Sequence, residues 1–341
     1  MIWIRADANS EIGTGHVMRC ISIAAELQKM EQEVCFVVAD RAVAELLSSR
    51  GQRFHVLNTN YKDMESELDI LLPLLNENAP NALLIDSYYV TPRYLKKVRE
   101  YVKTIYIDDM MMFPYPVDLL INYNVYAEPD MYESYDGESG RILTGMQYAP
   151  LRQEFCESVY NVRENVINIF ITTGGNDMYN IAGQVLQKVL SDDELCQLHY
   201  HVVSGIFNEY LSDLKEMALK NQNVHVYTNV KNMSDLMKQC DVAITAAGST
   251  MCELAAIGVP SITFSFVDNQ RKTADAFGIK NLAVSIGHYN AHEREGFLNE
   301  MTVKLKGLKE DYRQRSLLMK YCKEAIDGHG AKRIAQEIIK V

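Results

Sequence analysis

A surplus of positive charge is what this 341-residue chain most clearly lacks: 45 acidic residues face 34 basic ones, for a formal net charge of −11. A nucleic-acid binder needs a clustered positive surface to neutralise phosphates, and docking on an anionic membrane needs the same. No nucleic-acid or membrane partner is therefore expected. No apolar run is long enough to insert in a bilayer, and Met1-Ile2-Trp3-Ile4 passes straight into Arg5 and Asp7 without the apolar stretch of a signal peptide. The seven cysteines, at 20, 35, 156, 196, 240, 252 and 322, form no Cys-x-x-Cys pair and have no histidine cluster nearby. They read as reduced thiols of a cytoplasmic protein, mostly core fillers, and neither a metal site nor another cofactor is expected. No tandem repeat is visible, which argues against a solenoid.

What is present is apolar content, 48% of residues, enough over this length for two cores. Short apolar runs at 2–6, 34–39, 54–57, 82–86, 104–108 and 118–122 alternate with helical patterns, the signature of buried parallel strands in an α/β fold. Several runs end in polar residues: Asp7, Asp86, Asp108 and Asn122. In an open parallel sheet that edge is where ligands bind. After a charged, helix-prone stretch at 153–164, a second series begins, with strands expected at 166–172, 198–203, 224–227, 241–245 and 260–264. Two domains follow, 1–155 and 156–341. The charged, helical tail from Ala291 is assigned to the second, with the alternative that its last helix crosses back onto the first.

Three segments could carry chemistry. The first strand opens into Asp7-Ala8-Asn9-Ser10-Glu11-Ile12-Gly13-Thr14-Gly15-His16 and then a helical pattern. Gly13 and Gly15 let backbone approach a ligand, and His16 falls at the helix N-terminus, where the dipole favours the neutral ring that a general base needs. The competing reading is a tight turn with a capping histidine. In the second half, Gly174-Gly175-Asn176-Asp177 repeats the device of strand, glycines and helix. Gly248-Ser249-Thr250 starts a helix after a strand, with Glu253 one turn on. Free N–H groups and hydroxyls there suit a diphosphate and the carboxylate suits a ribose, but a plain capping box would use the same Ser249 and Glu253.

In this order, Arg5-x-Asp7 with Gly13-x-Gly15-His16, Asp86-Ser87-Tyr88, Gly174-Gly175-x-Asp177, Ser249 to Glu253 and Val267-Asp268-Asn269-Gln270 resemble the glycosyltransferase B superfamily. The nearer likeness is to its hydrolytic branch, the UDP-2,4-diacetamido-2,4,6-trideoxy-β-L-altropyranose hydrolases of pseudaminic acid synthesis, with spore-coat polysaccharide proteins sharing much of the pattern. The resemblance covers residues 1–285. It implies two Rossmann-like lobes whose parallel sheets face a central cleft, and a UDP-sugar as the partner. It also implies that His16 assists an attacking water and that Tyr88 and Asn269 line the sugar site. Asp7, Gly13, Gly15, Gly174, Gly175, Asn176 and Gln270 would complete the substrate contacts. Gly248, Ser249 and Thr250 would hold the diphosphate, Glu253 the ribose, and the segment 228–233, ending at Met233, the uracil. Two positions depart from the family pattern: Tyr89 replaces a glycine and Asn176 a threonine.

The adjacent Asp108 and Asp109 suggest a carboxylate pair for Mg²⁺, but neighbouring strand residues point to opposite faces, so the favoured reading is a strand end. The 20 tyrosines show no regular spacing with basic residues, which argues against base stacking. The expected activity is inverting hydrolysis of a UDP-sugar. The alternatives are a glycosyltransferase, in which His16 activates an acceptor hydroxyl, and a catalytically silent UDP-sugar-binding protein.

Overall fold

The computed structural model describes residues 1–9, 11–135, 140–156, 159–175, 177–205 and 208–341. They form two compact units, residues 1–152 with 329–341, and residues 153–328.

In the first unit the chain runs β1 (Ile2–Ala6), α1 (Gly15–Lys29), β2 (Val34–Val38), α2 (Ala44–Ser49), β3 (Arg53–Val56), α3 (Leu68–Asn78), β4 (Ala82–Asp86), α4 (Pro92–Arg99), β5 (Lys103–Ile107), β6 (Leu119–Asn122) and β7 (Arg141–Thr144). All neighbouring strands are parallel, in the order β3-β2-β1-β4-β5-β6-β7. β1, β2 and β4 are buried along their whole length, as their continuous apolar runs demand of strands covered on both faces. α1 forms because Val17, Cys20, Ile21, Ala24 and Leu27 recur at helical spacing and bury one face. Because β1 leads to β2 on one side and has β4 on the other, the carboxyl ends of β1 and β4 bound the crevice at the switch point.

The second unit repeats the plan with β8 (Asn168–Thr172), α5 (Ile181–Leu190), β9 (His199–Val203), α6 (Leu211–Lys220), β10 (Val224–Tyr227), α7 (Met233–Gln239), β11 (Val242–Ala246), α8 (Thr250–Ile257), β12 (Ser261–Ser265), α9 (Asp268–Ile279), β13 (Val284–His288), α10 (Arg294–Glu310) and α11 (Tyr312–Ala325). Its parallel order is β10-β9-β8-β11-β12-β13, so the switch point lies between β8 and β11.

The last helix, α12 (Gly330–Ile339), corrects the expected division, which placed the whole tail in the second domain. Its apolar face, with Ile334, Ala335 and Ile338 buried, packs on α1, and Arg333 donates to the Gln147 carbonyl at 2.9 Å. Gly330 permits the approach: a Cβ there would meet the Ala149 carbonyl oxygen at 2.1 Å. The stretch 153–164 also departs from its helix-prone reading, since its described residues hold only a 3₁₀ turn at Gln153–Phe155. Its bonds go outward instead, from Tyr160 to the Cys240 carbonyl (3.1 Å) and from Arg163 to Asp241 (2.6 Å). No helix among the described residues is long and apolar enough to cross a membrane.

Under the first switch point lies a charged network. Arg5, fully buried in β1, donates to both oxygens of fully buried Glu67 (2.7 to 3.1 Å) and to Asp7 (2.5 Å), while Tyr94 donates to Glu67 at 2.7 Å. Breaking a buried pair by removing one partner costs about 3–5 kcal/mol, whereas replacing the pair with apolar groups costs far less. Trp3, the only tryptophan, is buried beside it in β1 and reports this unit alone. In urea unfolding followed by Trp3 fluorescence, Arg5→Met should lose stability in that range and Arg5→Met/Glu67→Leu should recover most of it. Equal losses in the two variants would mean that the network carries no such penalty.

Candidate functional site

The loop from β1 to α1 is shaped by its own polar groups. The Asn9 side chain accepts the N–H groups of Glu11 (2.9 Å) and Ile12 (3.1 Å), and Gly13, at φ +70°, donates to the Asn9 carbonyl (2.9 Å). That left-handed turn is why position 13 favours glycine. Gly15 opens α1, so His16 sits in its first turn with its ring buried against the end of β4.

There His16 Nδ1 lies 2.6 Å from Asp86 Oδ1. An ionised carboxylate only accepts, so Nδ1 carries the proton and Nε2 is left with its lone pair. Arg19, one turn further along α1, grips the same carboxylate as a fork, through Nε to Oδ2 (2.6 Å) and Nη2 to Oδ1 (2.5 Å). Nη2 also reaches Asp109 (2.7 Å), and Nη1 reaches the Tyr123 hydroxyl (2.6 Å). Burial alone would push the Asp86 carboxyl up, but Arg19 and His16 hold it well below the usual carboxylate range. Tyr88 meets the His16 ring edge-on, with centroids 4.4 Å apart, and burial together with Asp109 pushes its phenol up to about 12, so it stays a proton donor at neutral pH. Of the adjacent tyrosines it is thus Tyr88 that faces His16, while Tyr89 packs edge-on against Tyr61.

Asp7, His16, Asp86 and Tyr88 line one small pocket with Ile12, Tyr61, Ser87 and Tyr89. Asp7 is already held by Arg5 and by the Ala39 N–H (2.7 Å). Asp108 and Asp109 do not pair as metal ligands. Asp108 accepts from Tyr115 (2.9 Å), Tyr132 (2.7 Å) and the backbone of Met110 and Met111 (both 2.8 Å), and Asp109 turns to Arg19.

In the second unit, the expected residues that are described follow the carboxyl ends of β8, β10, β11 and β12. Gly174 (φ +92°) and Gly175 end β8 facing open space, and Asp177 caps α5 through the N–H groups of Ile181 (2.8 Å) and Ala182 (2.9 Å). Asn176 lies outside the described residues. After β11, the Gly248 N–H turns back to Ala246 (2.8 Å), while the N–H groups of Met251 and Cys252 bond to Gly248 and Ser249 (both 3.1 Å). The N–H groups of Ser249 and Thr250 remain as open donors among the described residues. Ser249 is exposed and makes no side-chain cap, so the Ser half of a capping box is absent. Glu253 is half-buried one turn on, and Met233 opens α7 after β10. Gln270 accepts the Phe266 N–H (3.2 Å), and Asn269 is exposed in the first turn of α9. Asn269 belongs to the second unit, whereas His16 and Tyr88 belong to the first.

Residues 168–314 match the glycosyltransferase family 28 C-terminal domain. The segment so matched contains the whole β8–β13 sheet and its glycine turns. The chain is 29% identical over 296 residues to an uncharacterised protein of Methanocaldococcus jannaschii, covering 81% of this chain and 58% of that one. It is 25% identical over 276 residues to the UDP-2,4-diacetamido-2,4,6-trideoxy-β-L-altropyranose hydrolase of Campylobacter jejuni, covering 80% of this chain and 94% of the relative. With the spore coat polysaccharide biosynthesis protein SpsG of Bacillus subtilis it shares 24% over 340 residues, 98% of this chain and 96% of SpsG. The resemblance read from the motifs is thereby borne out. Among solved structures, MurG of Acinetobacter baumannii superposes with a TM-score of 0.70 at 12% identity, covering 100% of this chain and 99% of MurG. The spinosyn rhamnosyltransferase SpnG, solved with thymidine diphosphate, gives 0.64 at 14% identity and covers 98% of this chain and 99% of SpnG. The fold is of glycosyltransferase B type.

Within this glycosyltransferase-like frame, Asp86 and Arg19 carried no assigned role in the motifs, and Asp109 appeared only as half of a carboxylate pair. Two signals pointed to the first two. Asp86 is a polar strand end at the ligand edge of the sheet, and Arg19 stands three residues after His16 on one helical face.

Because the Asp86 carboxyl is held low in the folded state, the stability it contributes is present above the ordinary carboxylate range and is lost as pH falls through its lowered value. Asp86→Asn should cost the first unit on the order of 2–4 kcal/mol at pH 7. That cost should shrink below about pH 4. Trp3-monitored urea unfolding at several pH values checks this, and a pH-independent cost would contradict it.

Proposed function

We propose that the protein hydrolyses a UDP-linked diacetamido-trideoxy sugar at the anomeric C–O bond with inversion, releasing UDP and free sugar for nonulosonic (pseudaminic) acid synthesis. The observation that carries this reading is the buried hydrogen bond from His16 Nδ1 to Asp86, which leaves Nε2 as an oriented base beside Tyr88. The similarity to a hydrolase of such a sugar supports the substrate class.

In this reading the first unit supplies the base and the second holds the nucleotide. A water oxygen attacks the anomeric carbon and gives its proton to His16 Nε2. The bond from that carbon to the phosphate oxygen breaks, and its electron pair leaves with UDP. Departing diphosphate would be favoured by the N–H groups and hydroxyls of Ser249 and Thr250, with Gly248 assigned to let the backbone approach it. Glu253 is assigned to the ribose, Met233 and the residues before it to the uracil, and Tyr88 and Asn269 to the sugar. Asp7, Gly13, Gly15, Gly174, Gly175, Asn176 and Gln270 are assigned to the remaining substrate contacts. Asp7 lines the pocket beside His16 while accepting from Arg5 and the Ala39 N–H.

A second reading is transfer to an acceptor hydroxyl, favoured by the match to a glycosyltransferase domain. Incubation with the UDP-sugar in ¹⁸O-labelled water and no acceptor separates the two. Hydrolysis at carbon should release UDP free of label and place the heavy oxygen on the sugar, trapped early as the inverted anomer, with His16→Asn inactive. Negligible UDP release until an acceptor is added would favour transfer, and label in UDP would mean attack at phosphorus.

A further inference from the structure

Two carboxylates, Asp86 and Asp109, share a single guanidinium, that of Arg19, whose side chain is only 12% exposed. With the His16 ring neutral this cluster holds one negative charge in excess, and a proton on the ring removes the excess. The Arg19 Nη2 group also stands 3.1 Å from His16 Nδ1. Both are donors, so they compete for the same Asp86 oxygen.

Resting on the reading of His16 as the base, we propose that Arg19 is a positioning residue that sets how readily His16 takes up a proton. By occupying both oxygens of Asp86 it weakens that carboxylate as a partner for the ring. By tying Asp86 to Asp109 it keeps one excess negative charge for the transferred proton to neutralise. A buried carboxylate stripped of its guanidinium would have the ring as its remaining cationic partner and would draw a proton onto it even without substrate. An opposite charge at this range moves a titration by about one to three pH units.

The other groups facing the cluster do not supply this balance. From α1, the Cys20 thiol donates to Asp86 Oδ2 at 3.5 Å and is pushed well up by burial, so it is uncharged. Tyr88 is an uncharged phenol. Tyr123, after β6, accepts from Arg19 Nη1 on its hydroxyl. Asn124 is neutral and donates to Asp109 at 3.1 Å. Just after β1, Asp7 is tied to Arg5. Arg19 is thus the one cation in contact with Asp86 besides the ring itself among the described residues.

The test is a titration of the His16 ring by NMR in the full-length protein, its resonance assigned by loss in His16→Asn. Arg19→Gln should raise the midpoint by on the order of one pH unit. Arg19→Lys, which restores charge without the fork, should bring it back toward the parent, and Asp109→Asn should lower it. An unmoved or lowered midpoint in Arg19→Gln overturns the proposal. If that variant does not fold, Asp109→Asn decides, and an unmoved or raised midpoint there overturns it equally. The acid limb of kcat/KM for UDP release should shift in the same order, whereas a merely structural Arg19 would lower the rate without moving the limb. Midpoints that move as stated without any UDP release would sink the hydrolase reading and leave the role of Arg19 standing. UDP release with fixed midpoints would do the reverse.

Discussion

A carboxylate taken out of water must be met by charge and hydrogen bonds or it will not stay ionised, and the Asp86 carboxylate at the end of β4 imposes that demand on everything around it. It is met from one helix. Because His16 and Arg19 are three residues apart on α1, both reach the same anion and meet at its Oδ1, with Arg19 also holding Oδ2. The orientation of the ring, the tautomer and the placement of Tyr88 follow from that contact. The register that aligns Ala6 with Asp86 in the β1–β4 pair fixes where the loop to α1 begins, so the sheet itself sets the distance.

The same strand order is used twice with different chemistry at its switch point. In the first unit the crevice between β1 and β4 is filled by charged side chains that satisfy one another, with the Arg5–Glu67–Asp7 network below and the Asp86–Arg19–Asp109 cluster above. In the second unit the ends of β8 and β11 present glycines facing open space, an exposed serine and, among the described residues, the open N–H groups of Ser249 and Thr250. The first arrangement suits holding and moving a proton. The second suits binding an anion through backbone donors, at no cost in buried charge.

Much of the fold was legible because buried parallel strands are continuous apolar runs: β1 and β4 begin and end where the runs do. β7 and β13 escaped because their apolar pattern is broken, one of four residues opening with an exposed arginine and the other interrupted by Gly287 and a register shift. The path of α12 was left open because an amphipathic helix shows that it packs, not on what, and the contact depends on a glycine meeting backbone 181 residues earlier, Gly330 on Ala149. In the site, glycine turns and strand ends marked the backbone that a ligand could approach. Asp86 was visible as a strand end, but its bond to His16 spans 70 residues of sequence, and no local spacing encodes it.

Asp86 fixes the His16 tautomer, and ¹⁵N NMR of the histidine-labelled protein, recorded with the ring neutral, reads that directly. Nδ1 should show the shift of a protonated nitrogen and Nε2 that of a bare one. A ring carrying its proton on Nε2 would mean that Asp86 does not hold it and that His16 has no free lone pair to act as base from that position.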